Sequence, residues 1–306
     1  MTIAIFLGSL LGAMALGIPI AFSLLLCGAA LMWHMNMFDP QILAQNVING
    51  ADSFPLLAVP FFMLAGEVMN AGGLSRRIVN FALALVGHIK GGLGYVAIVA
   101  AVMMAALSGS AVADAAALTA LLLPMMVAAG HDKGRSAGLL ASASIIAPII
   151  PPSIGFVIFG VAANVSISKL FMAGIAPGIM LAAALWATWW WVARKEQVAV
   201  PPRKSRAEVW TAFKDATFAL VMPVIVVVGL KFGVFTPTEA AVVAAVYAIV
   251  ISTLVYRELK FSDLYGLFLA ASKTTAVIMF LVPLFFNLSI SFVKKIFPYF
   301  YVHFLI

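Results

Sequence analysis

The sequence predicts an all-α polytopic membrane protein, and three observations carry that prediction. The chain of 306 residues is 64% hydrophobic and only 9% charged, where a soluble domain carries roughly 25% charged residues. Uncharged stretches long enough for a bilayer recur at 1–33, 91–113, 136–168, 170–193 and 274–293, and about 20 apolar residues suffice to cross the hydrocarbon. The Lys and Arg residues behind the net charge of +7 sit in short connectors, where they set orientation and meet anionic headgroups of the lipid bilayer. The positive balance is therefore no nucleic-acid footprint. The single cysteine, Cys27, excludes an internal disulfide. The first apolar run lacks a basic start and is longer than a signal-peptide core, so it reads as a span.

Local signals place the elements. Residues 2–33 form a first span interrupted at Gly17-Ile18-Pro19. Ala51-Asp-Ser-Phe-Pro55 reads as a helix start, with Asp52 or Ser53 as cap and Pro55 in the first turn. That helix runs to Met69 and stops at Ala71-Gly-Gly73. Residues 74–90 mix Arg76, Arg77, His88 and Lys90 with apolar residues, which suits a helix along the interface. Two apolar arms, about 94–107 and 111–129, hinge at Ser108-Gly109-Ser110. Each is near the short limit for a crossing, and together they suit a re-entrant hairpin or a broken helix. Beyond the polar turn 131–135, residues 136–163 are broken at Ala147-Pro-Ile-Ile-Pro-Pro-Ser153. Three prolines in that stretch cannot continue an α-helix, because each removes a donor and crowds the preceding turn.

Residues 170–193 span again and end in Trp186, Trp189, Trp190 and Trp191 beside Arg194-Lys195, an aromatic belt at a membrane–water interface. Segment 194–214 is the most basic and belongs in the cytoplasm. Spans near 215–232, 237–256 and 262–282 follow. Phe235-Thr-Pro-Thr-Glu-Ala240 spells a capping box, with Thr236 as cap, Pro237 first in the helix and Glu239 third. From Pro283 to Ile306 there is neither Ala nor Gly, and Phe dominates. Such a tail lacks the small residues that membrane helices use to pack, and it reads as a frameshifted end on a truncated chain or as a Phe-rich lipid-facing helix.

The two breaks are the candidate site. Irregular backbone at membrane depth is tolerated only where protein buries it or it lines a wet cavity. Exposed helix ends leave carbonyls that suit a cation such as Na⁺ and N–H groups that suit a carboxylate. Ser108, Gly109, Ser110, Pro148, Pro151, Pro152 and Ser153 are the residues expected around a cation and substrate. The alternative for Ser108-Gly109-Ser110 is a close helix contact. Asp114 is an ionisable residue in an apolar stretch, hence a functional candidate, or else a capping anion near headgroups. Asn164 either faces substrate or caps its helix. Glu67 and Lys273 lie near span ends and can snorkel. No catalytic or cofactor motif is present. An intramembrane hydrolase built on Ser108 or Ser153 would need a partner at the same depth, and His34, His88, His131 and His303 fall in or near connectors.

In order, Pro60-Phe-Phe-Met-Leu-Ala-Gly-Glu-Val-Met69, Leu107-Ser-Gly-Ser-Ala-Val-Ala-Asp114, Ala147-Pro-Ile-Ile-Pro-Pro-Ser-Ile154, Ile167-Ser-Lys-Leu-Phe-Met-Ala-Gly-Ile-Ala-Pro-Gly178 and Phe235-Thr-Pro-Thr-Glu-Ala240 resemble the large membrane subunit of tripartite ATP-independent periplasmic (TRAP) transporters, the DctM-like family. The resemblance covers about residues 1–282. Asn49-Gly-Ala-Asp-Ser53 through Trp189-Trp-Trp191 bring it nearest to the family's 2,3-diketo-L-gulonate branch. It implies a multi-pass permease of the bacterial inner membrane, working as a sodium-coupled elevator with two inverted repeats. Its cargo would be an organic or sugar acid, such as 2,3-diketo-L-gulonate or a C4-dicarboxylate. Its partners would be a small membrane subunit and a periplasmic substrate-binding protein, with Na⁺ as coupling ion and no cofactor.

Carried over by residue, Ser108, Gly109 and Ser110 match the tip of the first hairpin, and Pro148, Pro151, Pro152 and Ser153 match the facing broken helix. Asp114 stands close by as a field-setting carboxylate. The implied organisation is a first transmembrane repeat over 1–193, with hairpin 94–129 and broken helix 136–163. A basic cytoplasmic linker over 194–214, a partial second repeat over 215–282 and an atypical tail over 283–306 complete it. A chain ending there would lack the second hairpin and second broken helix. The expectation is then a transport-inactive membrane remnant or scaffold.

Overall fold

The computed structural model describes residues 2–195, 198 and 200–304, with side chains as far as residue 284 apart from residue 46. Glu196 and the side chains of His303 and of the Phe-rich tail lie outside the described residues. Among the described residues the chain forms thirteen α-helices and no strand, and six helices are long and apolar enough to cross a membrane. The chain divides into two compact units, residues 1–56 with 273–306, and residues 57–272. This partition follows packing, and it cuts across the linear division at residues 194–214.

In the first unit, Gly17 (φ 79°) and Pro19 split the opening run into α1 (Thr2–Ala15) and α2 (Ile20–His34). Each is shorter than one full span, so the break costs more helix than the uncharged run suggested. A third helix, α3 (Pro40–Ala51), went unread in the sequence. Asp39 starts it, accepting from Gln41 N–H at 2.8 Å, with Pro40 in the first position. Leu24, Cys27 and Leu31 of α2 pack against Leu284, with Phe6, Leu10 and Val47 around them.

A 3₁₀ turn, Phe54–Leu57, closes the first stretch of the first unit and leads into α4 (Ala58–Ala71) of the second unit. Asp52 and Ser53 do not cap α4 through their side chains. Asp52 N–H closes α3 on Ile48 O, and Ser53 O accepts from Leu56 N–H at the 3₁₀ turn. In α5 (Leu74–Val86) the apolar face is buried, and Arg76 and Arg77 both reach Glu258. The long α6 (Gly92–Ser108) and α7 (Ala111–Ala128) form the predicted two arms, followed by α8 (Lys133–Ser144) and α9 (Ile154–Ala162). Next come α10 (Ile167–Ala193), α11 (Arg206–Lys231) and α12 (Pro237–Val250), the last running into a π turn over Ile251–Val255. The final helix, α13 (Phe261–Phe304), passes from the second unit into the first at Lys273.

Small residues set the packing of this unit. α12 lies against α4, and Ala240, Ala241, Ala244, Ala245 and Ala248 of α12 are buried, as are Ala58 and Ala65 of α4, as expected where helices associate by close backbone approach. The aromatic belt divides in two. Trp190 and Trp191 are exposed, but Trp189 is only 3% exposed. Its indole donates to Gly91 O at 2.8 Å, and a methyl on Gly94 would stand 2.0 Å from its ring. Glycines far away in sequence make that slot, so Trp189 is core. The basic segment is also shorter than its composition suggested. Ser205 and Glu208 form a capping box that starts α11 at Arg206, inside the segment read as linker. The predicted box at Thr236, Pro237 and Glu239 is present, with Glu239 Oε2 accepting from Thr236 N–H at 2.7 Å.

Candidate cation and substrate site

Both predicted breaks are present, and each ends in a serine-capped helix start. At the first, Gly109 takes the left-handed conformation (φ 58°) that ends α6, a conformation glycine adopts without steric cost. Ser110 then caps α7, accepting from Ala113 N–H at 3.4 Å. At the second, α8 gives way to turns over 145–152, and Ser153 caps α9, accepting from Phe156 N–H at 3.2 Å. Two serine-capped helix starts therefore follow two helix ends.

The structure brings the breaks together. A methyl on Gly109 would stand 2.5 Å from Pro152 O, 3.2 Å from Ile154 N and 3.3 Å from Ser153 Cα. Only a glycine lets the hairpin tip meet the Pro152 carbonyl. Gly66 of α4 backs onto Ser108, its methyl position 3.5 Å from the Ser108 Cα. Gly174 and Gly178 of α10 take the turn from outside, where methyls would stand 2.3 Å from Ile149 O and 2.4 Å from the Ile150 side chain. These three glycines were not singled out in the sequence. The four-residue spacing of Gly174 and Gly178 is the signal that would have found two of them.

The hydrogen bonds give the site its chemistry. Ser108 Oγ donates to Asp114 Oδ1 at 2.5 Å and accepts from Ser110 N–H at 3.2 Å. Ser153 Oγ donates to Pro148 O at 2.6 Å. Each hydroxyl has thus committed its proton to an oxygen and keeps a lone pair. Pro148, Pro151 and Pro152 carry no N–H, so their stretch presents carbonyls with few competing donors. Asp114 is fully buried, and its Oδ2 has no hydrogen-bond partner. Oxygen lone pairs, donor-poor carbonyls and one buried carboxylate form a donor set that fits a hard cation. Among the described residues no group of three or more His, Cys, Asp or Glu stands together.

Asn164 is placed elsewhere. It follows α9 in the left-handed conformation (φ 52°), exposed, with its N–H on Val161 O while Val165 N–H reaches Gly160 O. It terminates α9 at the end opposite Ser153, and nine helical residues separate the two ends by about 14 Å.

Residues 7–288 match the family of the tripartite ATP-independent periplasmic transporter, DctM component. The chain belongs to the DctM family. DctM relatives are similar along most of this chain. It is 58% identical to the 2,3-diketo-L-gulonate TRAP transporter large permease protein YiaN of Escherichia coli, over 92% of this chain and 66% of the relative. It is 40% identical to the sialic acid TRAP transporter large permease protein SiaM of Vibrio cholerae, over 89% and 64%. It is 36% identical to the C4-dicarboxylate TRAP transporter large permease protein DctM of Rhodobacter capsulatus, over 92% and 67%. The chain spans about two thirds of the length of these relatives. DctM membership and the six apolar helices make it a multi-pass protein of the bacterial inner membrane, in a family of transporter permeases.

Proposed function

We propose that this chain is the large permease component of a sodium-coupled, binding-protein-dependent transporter for an organic or sugar acid. The observation that supports the reading best is the contact between the two breaks, Gly109 on Pro152, with the Ser108 and Ser153 protons committed elsewhere. In this reading the sodium ion is cargo, and the oxygens of Ser108, Ser110, Ser153 and the proline-rich turn grip it. Asp114 supplies negative charge one helical turn from the tip, where water cannot screen it. A carboxylate cargo is repelled by Asp114 unless a cation stands between them, which couples the two. The starts of α7 and α9 offer first-turn N–H groups that no helical carbonyl reaches, and their positive dipole ends favour the anion. The likeness to YiaN favours 2,3-diketo-L-gulonate over sialic acid or a C4-dicarboxylate. A small membrane subunit, a periplasmic binding protein and an elevator motion of two inverted repeats belong to the same proposal.

The test is uptake into proteoliposomes holding this chain, its small-subunit partner and the binding protein. Labelled 2,3-diketo-L-gulonate should accumulate under an inward sodium gradient and not under a potassium gradient of equal size. Equal uptake under both gradients would refute sodium coupling. No uptake of any acid, with partner binding intact, would support a membrane scaffold instead.

A further inference from the structure

Where α8 begins and α10 ends, a cavity of about 480 Å³ opens between the two helices. Arg135 of α8 and Lys195, just past the end of α10, stand on it, and Leu139, Leu185, Trp191 and Val192 form its apolar wall. No described residue lining it is acidic. The hydroxyls in the wall are already used, Ser142 Oγ donating to Gly138 O and Thr188 Oγ1 to Ala184 O, each at 2.8 Å. Below its cationic rim the cavity is walled mainly by apolar groups.

Its depth is fixed by its neighbours. The Arg194 guanidinium lies 3.3 Å over the Trp190 ring, and Lys90 Nζ donates to Arg194 O at 3.0 Å. Exposed indoles beside a cluster of cations mark the level of the headgroups. The inner wall is rigid, because Trp189 is pinned to Gly91 O and packs its ring 5.6 Å from His131. Cations at headgroup level and an apolar wall toward the bilayer repeat the order of groups along a phospholipid. A free phosphate matches only the first of the two.

We propose that this cavity binds an anionic phospholipid, with its phosphate between Arg135 and Lys195 and its first acyl methylenes against Leu139, Leu185 and Trp191. The site is smaller than a whole lipid, so the tails run on along α8 and α10 into the bilayer. Nothing in this assignment depends on the transport reading.

Native mass spectrometry of the full chain, given phosphatidylglycerol or phosphatidylethanolamine in detergent, tests it. Phosphatidylglycerol should be retained preferentially, and inorganic phosphate in large excess should not displace it. Arg135→Ala with Lys195→Ala should weaken retention roughly thirtyfold, about fivefold per cation near a lipid surface. Both residues are exposed, and the charge-conserving pair Arg135→Lys with Lys195→Arg should retain the lipid. Equal retention of both lipids by the wild-type chain would overturn the proposal without recourse to any variant. So would unchanged binding in the double alanine variant, or displacement by phosphate.

Discussion

Adding one methyl at Gly109 tests whether the two breaks touch, and two other glycines supply the scale. Gly138 lies inside α8 with nothing within 4 Å of its methyl position. Gly138→Ala should be neutral or stabilising by about 0.5–1 kcal/mol, the helical preference for alanine. Gly17 (φ 79°) has equally open surroundings, so Gly17→Ala isolates the left-handed backbone cost of roughly 1–2 kcal/mol. Gly109 (φ 58°) has that cost and a methyl 2.5 Å from Pro152 O, well inside the ~3.3 Å of the closest favourable carbon–oxygen contacts. The Pro152 ring on one side of that carbonyl and the Ser153 cap of α9 on the other leave it little room to yield. Overpacking adds about 1–3 kcal/mol, for a total of about 2–5 kcal/mol. The assay is unfolding of the purified protein by denaturing detergent in mixed micelles, followed by helical circular dichroism. Gly109→Ala should shift the midpoint well beyond Gly17→Ala, with Gly138→Ala at or above wild type. A Gly109→Ala midpoint equal to that of Gly17→Ala would refute the contact.

Three further outcomes follow from named hydrogen bonds. Ser153→Ala removes the α9 cap and the bond to Pro148 O, so stability should fall by about 1–2 kcal/mol, and the stabilisation that sodium gives over potassium should shrink in the same melts. Thr236→Ala removes a comparable cap on α12 and should cost about 1 kcal/mol while leaving the sodium response intact; a changed response would tie α12 to the cation. Trp189→Phe keeps most of the ring but leaves Gly91 O without its indole donor. It should cost about 1–3 kcal/mol in the unfolding assay, and a neutral result would return Trp189 to the lipid-facing belt.

What the sequence made legible was local. Three prolines, a Ser-Gly-Ser triplet and a Thr-Pro-Thr-Glu box each act within a few residues through missing donors, left-handed backbone or side-chain caps. The positions of both breaks and of the α12 start could therefore be read directly. Contacts between distant segments could not. Gly91 and Gly94 make room for Trp189, and Gly174 and Gly178 make room for the 149–150 turn, but a glycine in a membrane helix has many other uses. The start of α11 was hidden by charge. Ser205 and Glu208 are a capping box like that at Thr236, but they sit in a basic stretch that composition alone assigns to a linker. Asp39 was passed over because α3 is too short and polar to stand out as a span.

The central claim is that the interrupted helices meet to hold a sodium ion beside Asp114. Calorimetric titration of the purified chain with sodium chloride, against potassium chloride at equal ionic strength, tests it most directly. Saturable heat is expected with sodium alone, strongly weakened by Asp114→Asn and by Ser153→Ala and preserved in Thr236→Ala. Identical heats for the two salts, or sodium binding untouched by the Asp114 and Ser153 substitutions, would contradict it.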